Sequence, residues 1–192
     1  MTHSLHAADA LLPTGWAKDV LLAWNEAGEL THVQAGTKAP AGAAKAHGPV
    51  IPGMPNLHSH AFQRGFAGLT EHRAGDQDSF WSWRTLMYRF AARLGPSHME
   101  AIATWLYAEM LEAGYTSVCE FQYVHHEADG RPYADDATLS LALMRAAAKV
   151  GIGLTMLPVL YQASGFGGQP PNQGQRRFIR STESMLGLLE SL

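Results

Sequence analysis

Two histidines, His58 and His60, stand one residue apart at the end of the stretch PGMPNLHSH. If this stretch is a β-strand, its side chains alternate between two faces, so both imidazoles point to the same side and can reach one metal ion. Imidazole nitrogen suits zinc and iron, and a catalytic zinc site normally has three protein ligands plus an open position for water. The pair therefore indicates part of a metal site. The alternative is a polar pair at a strand end with no ligand role.

Other reactive side chains near predicted strand ends carry weaker signals. His125 and His126 follow a predicted strand, but adjacent side chains on a strand point in opposite directions, so at most one can face a shared pocket. Glu120 would need a partner if it is buried, and Cys119 is more typical of a small core residue than of a nucleophile. The glycine-rich segment 165–168 lacks both phosphate-binding glycine patterns, so a phosphate site is not predicted there.

The elements that must position these residues fall into two parts. Residues 9–36 contain short alternating apolar runs, and the polar NEAG at 25–28 separates two of them as a hairpin turn does. Residues 37–48 are rich in Ala, Gly, Pro and Lys without periodicity, which is typical of a linker. We therefore predict a small β-sandwich-like unit over residues 1–48 and a second domain over residues 49–192.

Strand and helix patterns alternate through the second domain. The order βαβαβα favours a parallel sheet with crossover helices, as in a doubly wound sheet or a (β/α)8 barrel. A complete barrel takes about 250 residues, so three βα units would form only part of one. The predicted strands are 49–60, 115–124 and 152–161, and the predicted helices are 79–94, 96–114, 135–151 and 178–192.

Composition excludes several classes of protein. With 46% hydrophobic residues, 16% charged residues and a single cysteine, the chain is neither disordered nor disulfide-stapled. A net charge of -3 offers no basic surface for nucleic acid, and no run of about 18 apolar residues could span a membrane. The N-terminus lacks the features of a secretory signal, and the lone Cys119 fits a reducing compartment. We expect a cytoplasmic location.

A more specific signal comes from four segments taken together: PGMPNLHSHAFQRGFAG, SFWSWRTLMYRF, YTSVCEFQYVHH and GFGGQPPNQGQRRFI. In combination they resemble the formimidoylglutamate deiminases of the amidohydrolase superfamily, and the likeness runs from about residue 9 to the end of the chain. His-x-His alone is generic to that superfamily, whereas its combination with Phe62, Gln63, Arg64 and the FWSWR segment is more specific.

The resemblance implies an α/β fold: the first three βα units of an incomplete (β/α)8 metal-dependent hydrolase barrel, preceded by a small β unit. It implies hydrolysis of N-formimino-L-glutamate to N-formyl-L-glutamate and ammonia, a step of histidine degradation. One zinc ion, or iron in its place, would be bound by His58 and His60. A third histidine, an aspartate and the residues for proton transfer would follow Leu192, so we expect no catalytic residue within this chain.

The resemblance also assigns substrate contacts to Gln63, Arg84 and Tyr123. Gln63 would hydrogen-bond near the reacting group, Arg84 would pair with a substrate carboxylate, and Tyr123 would bind the other end of the substrate. Arginine suits this task because its planar guanidinium matches a carboxylate with two hydrogen bonds. From the residues alone, each assignment has an alternative. Gln63 would be a surface residue in the first turn after the strand, Arg84 a solvated helix arginine, and Tyr123 a residue that packs in a half-buried strand.

Three hypotheses about function follow. The first is the N-terminal part of a zinc-dependent deiminase acting on a small dicarboxylate, dimeric when full-length and inactive as this isolated chain. The second is another amidohydrolase-superfamily deaminase acting on a heterocycle, which would offer Arg84 no carboxylate to bind. The third is a non-catalytic truncated α/β module, which would expose a strand edge and the apolar faces of its helices.

Overall fold

The computed structural model describes residues 3–71 and 80–192, so Ser79, with which the predicted helix of residues 79–94 begins, lies outside the described residues. The chain divides into two compact units, Met1–Gly53 and Met54–Leu192. The division falls close to the predicted one after residue 48. No helix in the described part of the chain is long and apolar enough to cross a membrane.

The first unit is a four-stranded sheet with the strand order β3-β2-β1-β4. Its strands are β1 (His3–Leu12), β2 (Gly15–Trp24), β3 (Leu30–Gln34) and β4 (Ala44–Lys45). Antiparallel pairing joins β1 to β2 and β2 to β3, while β4 pairs with β1 in parallel. Ala7, Ala10 and Val20 form its small buried core.

The turn predicted at NEAG is confirmed. The Asn25 side chain accepts hydrogen bonds from the backbone N–H groups of Ala27 and Glu29, which closes the turn between β2 and β3. The prediction of a structureless linker over residues 37–48 is wrong at Ala44–Lys45, which form β4. Two residues are too few to show a period of alternation, so only pairing with a distant strand reveals them.

The second unit is built on a three-stranded parallel sheet with the order β5-β6-β7. Two helices connect β5 to β6. The strands are β5 (Met54–Ser59), β6 (Tyr115–Gln122) and β7 (Gly153–Pro158); the helices are α1 (Phe80–Ala91), α2 (Pro96–Glu112), α3 (Thr138–Val150) and α4 (Thr182–Ser191). Short 3₁₀ helices span Ala61–Phe66 and Gln173–Gln175.

Local signals explain where the long helices begin and end. Pro96 occupies the first turn of α2, where its missing N–H costs no helical hydrogen bond, and the His98 ring accepts a hydrogen bond from the N–H of Gly95. Gly151 ends α3 with φ 85°, a left-handed conformation that glycine adopts without steric cost. Apolar residues recur along α3 at helical spacing, so one face of the helix is buried.

The core of the second unit lies between the sheet and helices α2 and α3. Buried Met99, Ala103 and Tyr107 of α2 meet Leu143 and Ala146 of α3. Burying a leucine such as Leu143 stabilises the fold by about 2 kcal/mol. Because the three strands are parallel, their carboxyl ends share one edge of the sheet, and the segments that follow them converge there.

Candidate active site

The histidine pair lies where β5 ends. The Nε2 atoms of His58 and His60 are 2.9 Å apart, and the two rings meet edge to face with their centroids 4.6 Å apart. The strand pairing shifts register between Asn56 and Ser59, and the Asn56 side chain accepts a hydrogen bond from the N–H of His58. Two nitrogen atoms thus face one point from a locally irregular strand.

A backbone carbonyl fixes the His60 ring. Its Nδ1 lies 3.1 Å from the carbonyl oxygen of Phe121 in β6. A carbonyl can only accept, so Nδ1 carries the proton and the Nε2 lone pair faces His58. Burial lowers the pKa of His60; the Phe121 carbonyl opposes this shift and the neighbouring His58 adds to it. The ring is held as the neutral imidazole that binds metals.

The donor set matches part of a zinc site. Two imidazoles with converging Nε2 atoms are suitable zinc ligands. Within residues 3–71 and 80–192, no group of three or more His, Cys, Asp or Glu side chains is placed to hold a metal ion. The described residues thus supply two metal ligands, and further ligands are needed to complete a site.

A cavity of about 380 Å³ opens beside His60. It brings together all three residues predicted to contact substrate: Gln63 from the 3₁₀ helix after β5, Arg84 from α1, and Tyr123, which directly follows β6. The other lining residues are mostly aromatic or apolar: Phe80, Trp83, Met87, Tyr88, Phe121, Val159, Tyr161, Ser164 and Phe178.

Gln63 and Tyr123 are bonded to each other. The Gln63 Nε2 donates to the Tyr123 hydroxyl oxygen at 3.0 Å. The Tyr123 side chain is buried, with its ring against His60 and Phe178 at centroid distances of 5.3 and 5.1 Å. Burial raises the pKa of Tyr123, so at neutral pH the hydroxyl keeps its proton and can act as a donor.

Arg84 is held by aromatic side chains of its own helix. Its Nε donates to the Tyr88 hydroxyl, and its guanidinium carbon lies 5.4 Å from the ring centroid of Trp81 and 5.2 Å from that of Tyr88. A second cavity of about 570 Å³ shares Arg84, Tyr88 and Ser164 with the first. Arg84 is therefore a constrained cation between two cavities, not a freely solvated arginine.

Two residues of this site, Gln175 and Tyr161, were not singled out from the sequence. Gln175, fully buried, donates from Nε2 to the hydroxyl oxygens of Tyr88 at 3.1 Å and Tyr161 at 2.6 Å. The sequence offered one clue: Asn172 and Gln175 have the spacing of a helix capping box, which the short 3₁₀ helix forms. No pattern in the neighbouring sequence indicated that Gln175 contacts Tyr88 of α1.

Glu120 supports the site from within the core. The carboxylate accepts hydrogen bonds from the N–H of Ala61 at 2.6 Å and from the Tyr107 hydroxyl at 3.2 Å. Burial raises the pKa of Glu120, while the Ala61 N–H opposes that shift. The partners that a buried carboxylate requires are thus present, and they anchor the residue that follows His60.

His125 and His126 both lie away from the cavity. Their Nε2 atoms approach the carbonyl oxygens of Val159 at 3.0 Å and Ile179 at 2.8 Å. We expected at most one of them to face the pocket, and neither lines it. Burial lowers the pKa of both rings, that of His125 to about 4. Their role is to connect β6 to the segments after β7.

Known proteins similar to this chain share both its sequence and its fold. Formimidoylglutamate deiminase from Pseudomonas aeruginosa is 56% identical over 189 residues, which are 98% of this chain and 42% of that protein. The crystal structure of an amidohydrolase from Brucella melitensis matches with a TM-score of 0.92 and 48% identity, over 98% of this chain and 42% of that one. The resemblance that the sequence motifs indicated is therefore confirmed.

More distant structures share the fold alone. Atrazine chlorohydrolase from Arthrobacter aurescens, crystallised with zinc, matches with a TM-score of 0.69 at 17% identity, over 97% of this chain and 42% of that one. No protein-family model matches the chain. The chain spans about two fifths of the length of each of these relatives. The mixed α/β class is confirmed, and the number of barrel units stays a prediction.

Proposed function

We propose that this chain is the N-terminal part of a zinc-dependent formimidoylglutamate deiminase, which hydrolyses N-formimino-L-glutamate to N-formyl-L-glutamate and ammonia. Its second unit would contribute the first three βα units of a (β/α)8 barrel. One observation carries the proposal: a single cavity joins the His58–His60 pair, through His60, to an amide, a phenol and a guanidinium. The 56% identity to a curated deiminase supports it.

The metal would be held by the Nε2 atoms of His58 and His60, together with ligands from the rest of the protein. Zinc supplies a water that is activated for attack near neutral pH. The chain's own contribution is to orient the two rings: Asn56 sets the backbone of His58, and the Phe121 carbonyl sets the His60 tautomer. Pre-set ligands lose little conformational freedom when the metal binds.

Gln63 and Tyr123 would both hold the formimino end of the substrate, which revises the expectation that Tyr123 binds the other end, because its hydroxyl is bonded to Gln63. Gln63 donates to the Tyr123 oxygen, and the Tyr123 hydroxyl donates to the Met87 sulfur at 3.9 Å. Sulfur is a weak acceptor, so a polar group of the substrate can replace it as the acceptor of this proton. The Gln63 carbonyl oxygen is an acceptor that suits the N–H groups of a formimino substrate. Together they would place the reacting carbon beside His60, against which the Tyr123 ring already packs.

Arg84 would bind a carboxylate at the far side of the cavity. The rings of Trp81 and Tyr88 hold the guanidinium in place, so less conformational freedom is lost when it binds a carboxylate. A heterocyclic base has no carboxylate for this cation, so the arrangement favours an acyclic acidic substrate. A purely structural role would not account for a cavity that collects a charged group, an amide and a phenol beside a histidine pair.

The test uses the complete protein that contains this sequence, loaded with zinc. We expect N-formimino-L-glutamate to be converted to ammonia and N-formyl-L-glutamate in equal amounts, and guanine and atrazine to remain unchanged. Turnover of a heterocycle without turnover of N-formimino-L-glutamate would replace the proposal by the second hypothesis. Failure to bind zinc or to turn over any of these substrates would favour a non-catalytic module.

A further inference from the structure

The side-chain amide of Gln175 has only one consistent orientation. Its Oε1 accepts a hydrogen bond from the backbone N–H of Asn172 at 2.8 Å, and a backbone N–H can only donate. The NH₂ group must therefore face the two phenols, donating one hydrogen to Tyr88 and the other to Tyr161. Both phenol oxygens act as acceptors toward this buried amide.

Tyr88 has its acceptor capacity filled. Its hydroxyl oxygen receives one hydrogen bond from the Arg84 Nε and another from the Gln175 Nε2. A phenol oxygen accepts two hydrogen bonds and donates one, so the Tyr88 proton must be directed to a third group. If the Tyr88 hydroxyl donated to Tyr161, the Tyr161 proton would take its place as the free donor, because the Tyr88 oxygen is already filled. At least one proton of the pair remains for an acceptor in the cavity.

The surroundings of this free hydroxyl proton suit a bound anion. Tyr88 and Tyr161 both line the cavity that contains His60, and Tyr88 is also in the wall of the larger cavity. The guanidinium of Arg84 lies next to the Tyr88 hydroxyl. A cation and an aligned O–H donor side by side, in a half-buried pocket, are complementary to a carboxylate.

The loop after β7 packs closely enough to hold the Tyr88 ring in place. A Cβ atom added at Gly174 would lie 2.8 Å from Cδ2 of that ring, a distance that only movement could relieve. Gly174 therefore allows the backbone to contact the ring face while its neighbour Gln175 binds the hydroxyl. Position and direction of the hydroxyl are both set by this loop.

We propose that Tyr88 is a substrate-binding residue that, with Arg84, forms the receptor for one substrate carboxylate. Arg84 would bind it through its Nη groups and Tyr88 through its O–H, and Gln175 is the positioning residue that directs this hydroxyl. The inference rests on the proposed deiminase function, and it names the side chains that select for an acidic substrate. Gln175 acts only through the phenols.

The first test compares Tyr88→Phe with wild type in the complete zinc-loaded protein. A hydrogen bond to a charged group is worth about 1.5–3 kcal/mol, so the KM for N-formimino-L-glutamate should rise roughly tenfold to a hundredfold with little change in kcat. Tyr115→Phe is the matched control, because Tyr115 begins β6 at the edge of the sheet opposite the site. We expect its KM to equal that of wild type.

Truncated substrates identify the contact. N-formimino-2-aminobutyrate lacks the side-chain carboxylate of the substrate, and N-formimino-4-aminobutyrate lacks the α-carboxylate. The effect of Tyr88→Phe should disappear for one of them and persist for the other. An equal effect on both, or none on N-formimino-L-glutamate, would overturn the inference while leaving the deiminase function intact. A wild-type protein inactive on N-formimino-L-glutamate would overturn both.

Gln175→Glu tests the positioning role with a side chain of the same shape. The introduced carboxylate can still accept from the Asn172 N–H, but it cannot donate to the phenols and would draw their protons toward itself. KM should rise at least as much as in Tyr88→Phe, and adding Tyr88→Phe should cause no further rise. Additive effects, or a loss of thermal stability with unchanged KM, would show that Gln175 only supports the fold.

Discussion

The amide of Gln63 donates a hydrogen bond to the hydroxyl of Tyr123 across 3.0 Å, and this joins the segment after β5 to the end of β6. The two residues are 60 positions apart in the sequence. Their bond gives the inner cavity a polar wall directly beside His60, against which the Tyr123 ring also packs. A side-chain pair of this kind can be tested as one unit.

Tyr123→Phe should lower kcat/KM roughly tenfold to a hundredfold, because it removes one donor and leaves the Gln63 amide without its acceptor. Gln63→Leu should have a comparable effect. The double variant should lose less than the product of the single losses, since the two side chains form one hydrogen-bonded unit. Steady-state kinetics of all four proteins measure the coupling, and strictly multiplicative losses would show that the residues act independently.

His58→Ala and His60→Ala should each reduce bound zinc from one equivalent to a small fraction, because each removes a nitrogen ligand. The measurement is metal content by atomic emission after dialysis, which does not depend on activity. His32→Ala is the control, since His32 is exposed on β3 of the first unit. Full zinc retention in both site variants would exclude the pair as ligands.

Arg84→Lys should raise KM for N-formimino-L-glutamate about tenfold or more. Lysine keeps the positive charge but lacks the planar group that can bind Tyr88 through Nε and a carboxylate through its other nitrogens. Arg145→Lys serves as the control, because Arg145 forms an exposed ion pair with Glu100. Unchanged kinetics in Arg84→Lys would remove Arg84 from the substrate site.

Gly174→Ala should reproduce part of the Tyr88→Phe phenotype, because the added methyl group must displace the Tyr88 ring. We expect KM to rise severalfold with kcat nearly unchanged. Gly187→Ala is the matched control: Gly187 lies in α4, and an added Cβ meets no described atom within 4 Å there. That variant should gain up to about 1 kcal/mol of stability through helix propensity and keep its KM. Equal kinetics in the two variants would contradict the close-packing argument.

His125 should make stability depend on pH on the acid side. Burial lowers its pKa from 6.5 to about 4, so the folded protein binds this proton less readily than the unfolded chain. The stabilisation is fully present above about pH 6.5 and is lost as pH falls toward 4, at up to about 1.4 kcal/mol per pH unit. Urea unfolding at pH 7 and pH 4.5 measures it. In His125→Gln, the number of protons taken up on unfolding in this pH range should fall by close to one, so the free energy of unfolding should depend less on pH. An unchanged pH dependence of the free energy of unfolding would refute this assignment.

Much of the local structure was predictable from the sequence because short-range chemistry determines it. Pro96 and Gly114 delimit α2, Gly151 ends α3, and Asn25 organises the hairpin turn, each through backbone preferences that act within a few residues. The strand pattern of the second unit followed from its apolar runs. The short β4 escaped prediction because only its pairing with β1 defines it.

In the candidate site too, some features could be predicted from the sequence and others could not. The spacing of His58 and His60 by itself indicated a shared side, and the motif resemblance pointed to Gln63, Arg84 and Tyr123. The sequence could not show that Gln175 reaches Tyr88, 87 residues away, or that the Phe121 carbonyl selects the His60 tautomer. Periodicity and capping depend on neighbours in the chain, whereas these contacts exist only after parallel strands align their carboxyl ends. Tertiary structure therefore decided which donors and acceptors face the cavity, because hydrogen bonds require proximity that sequence separation does not encode.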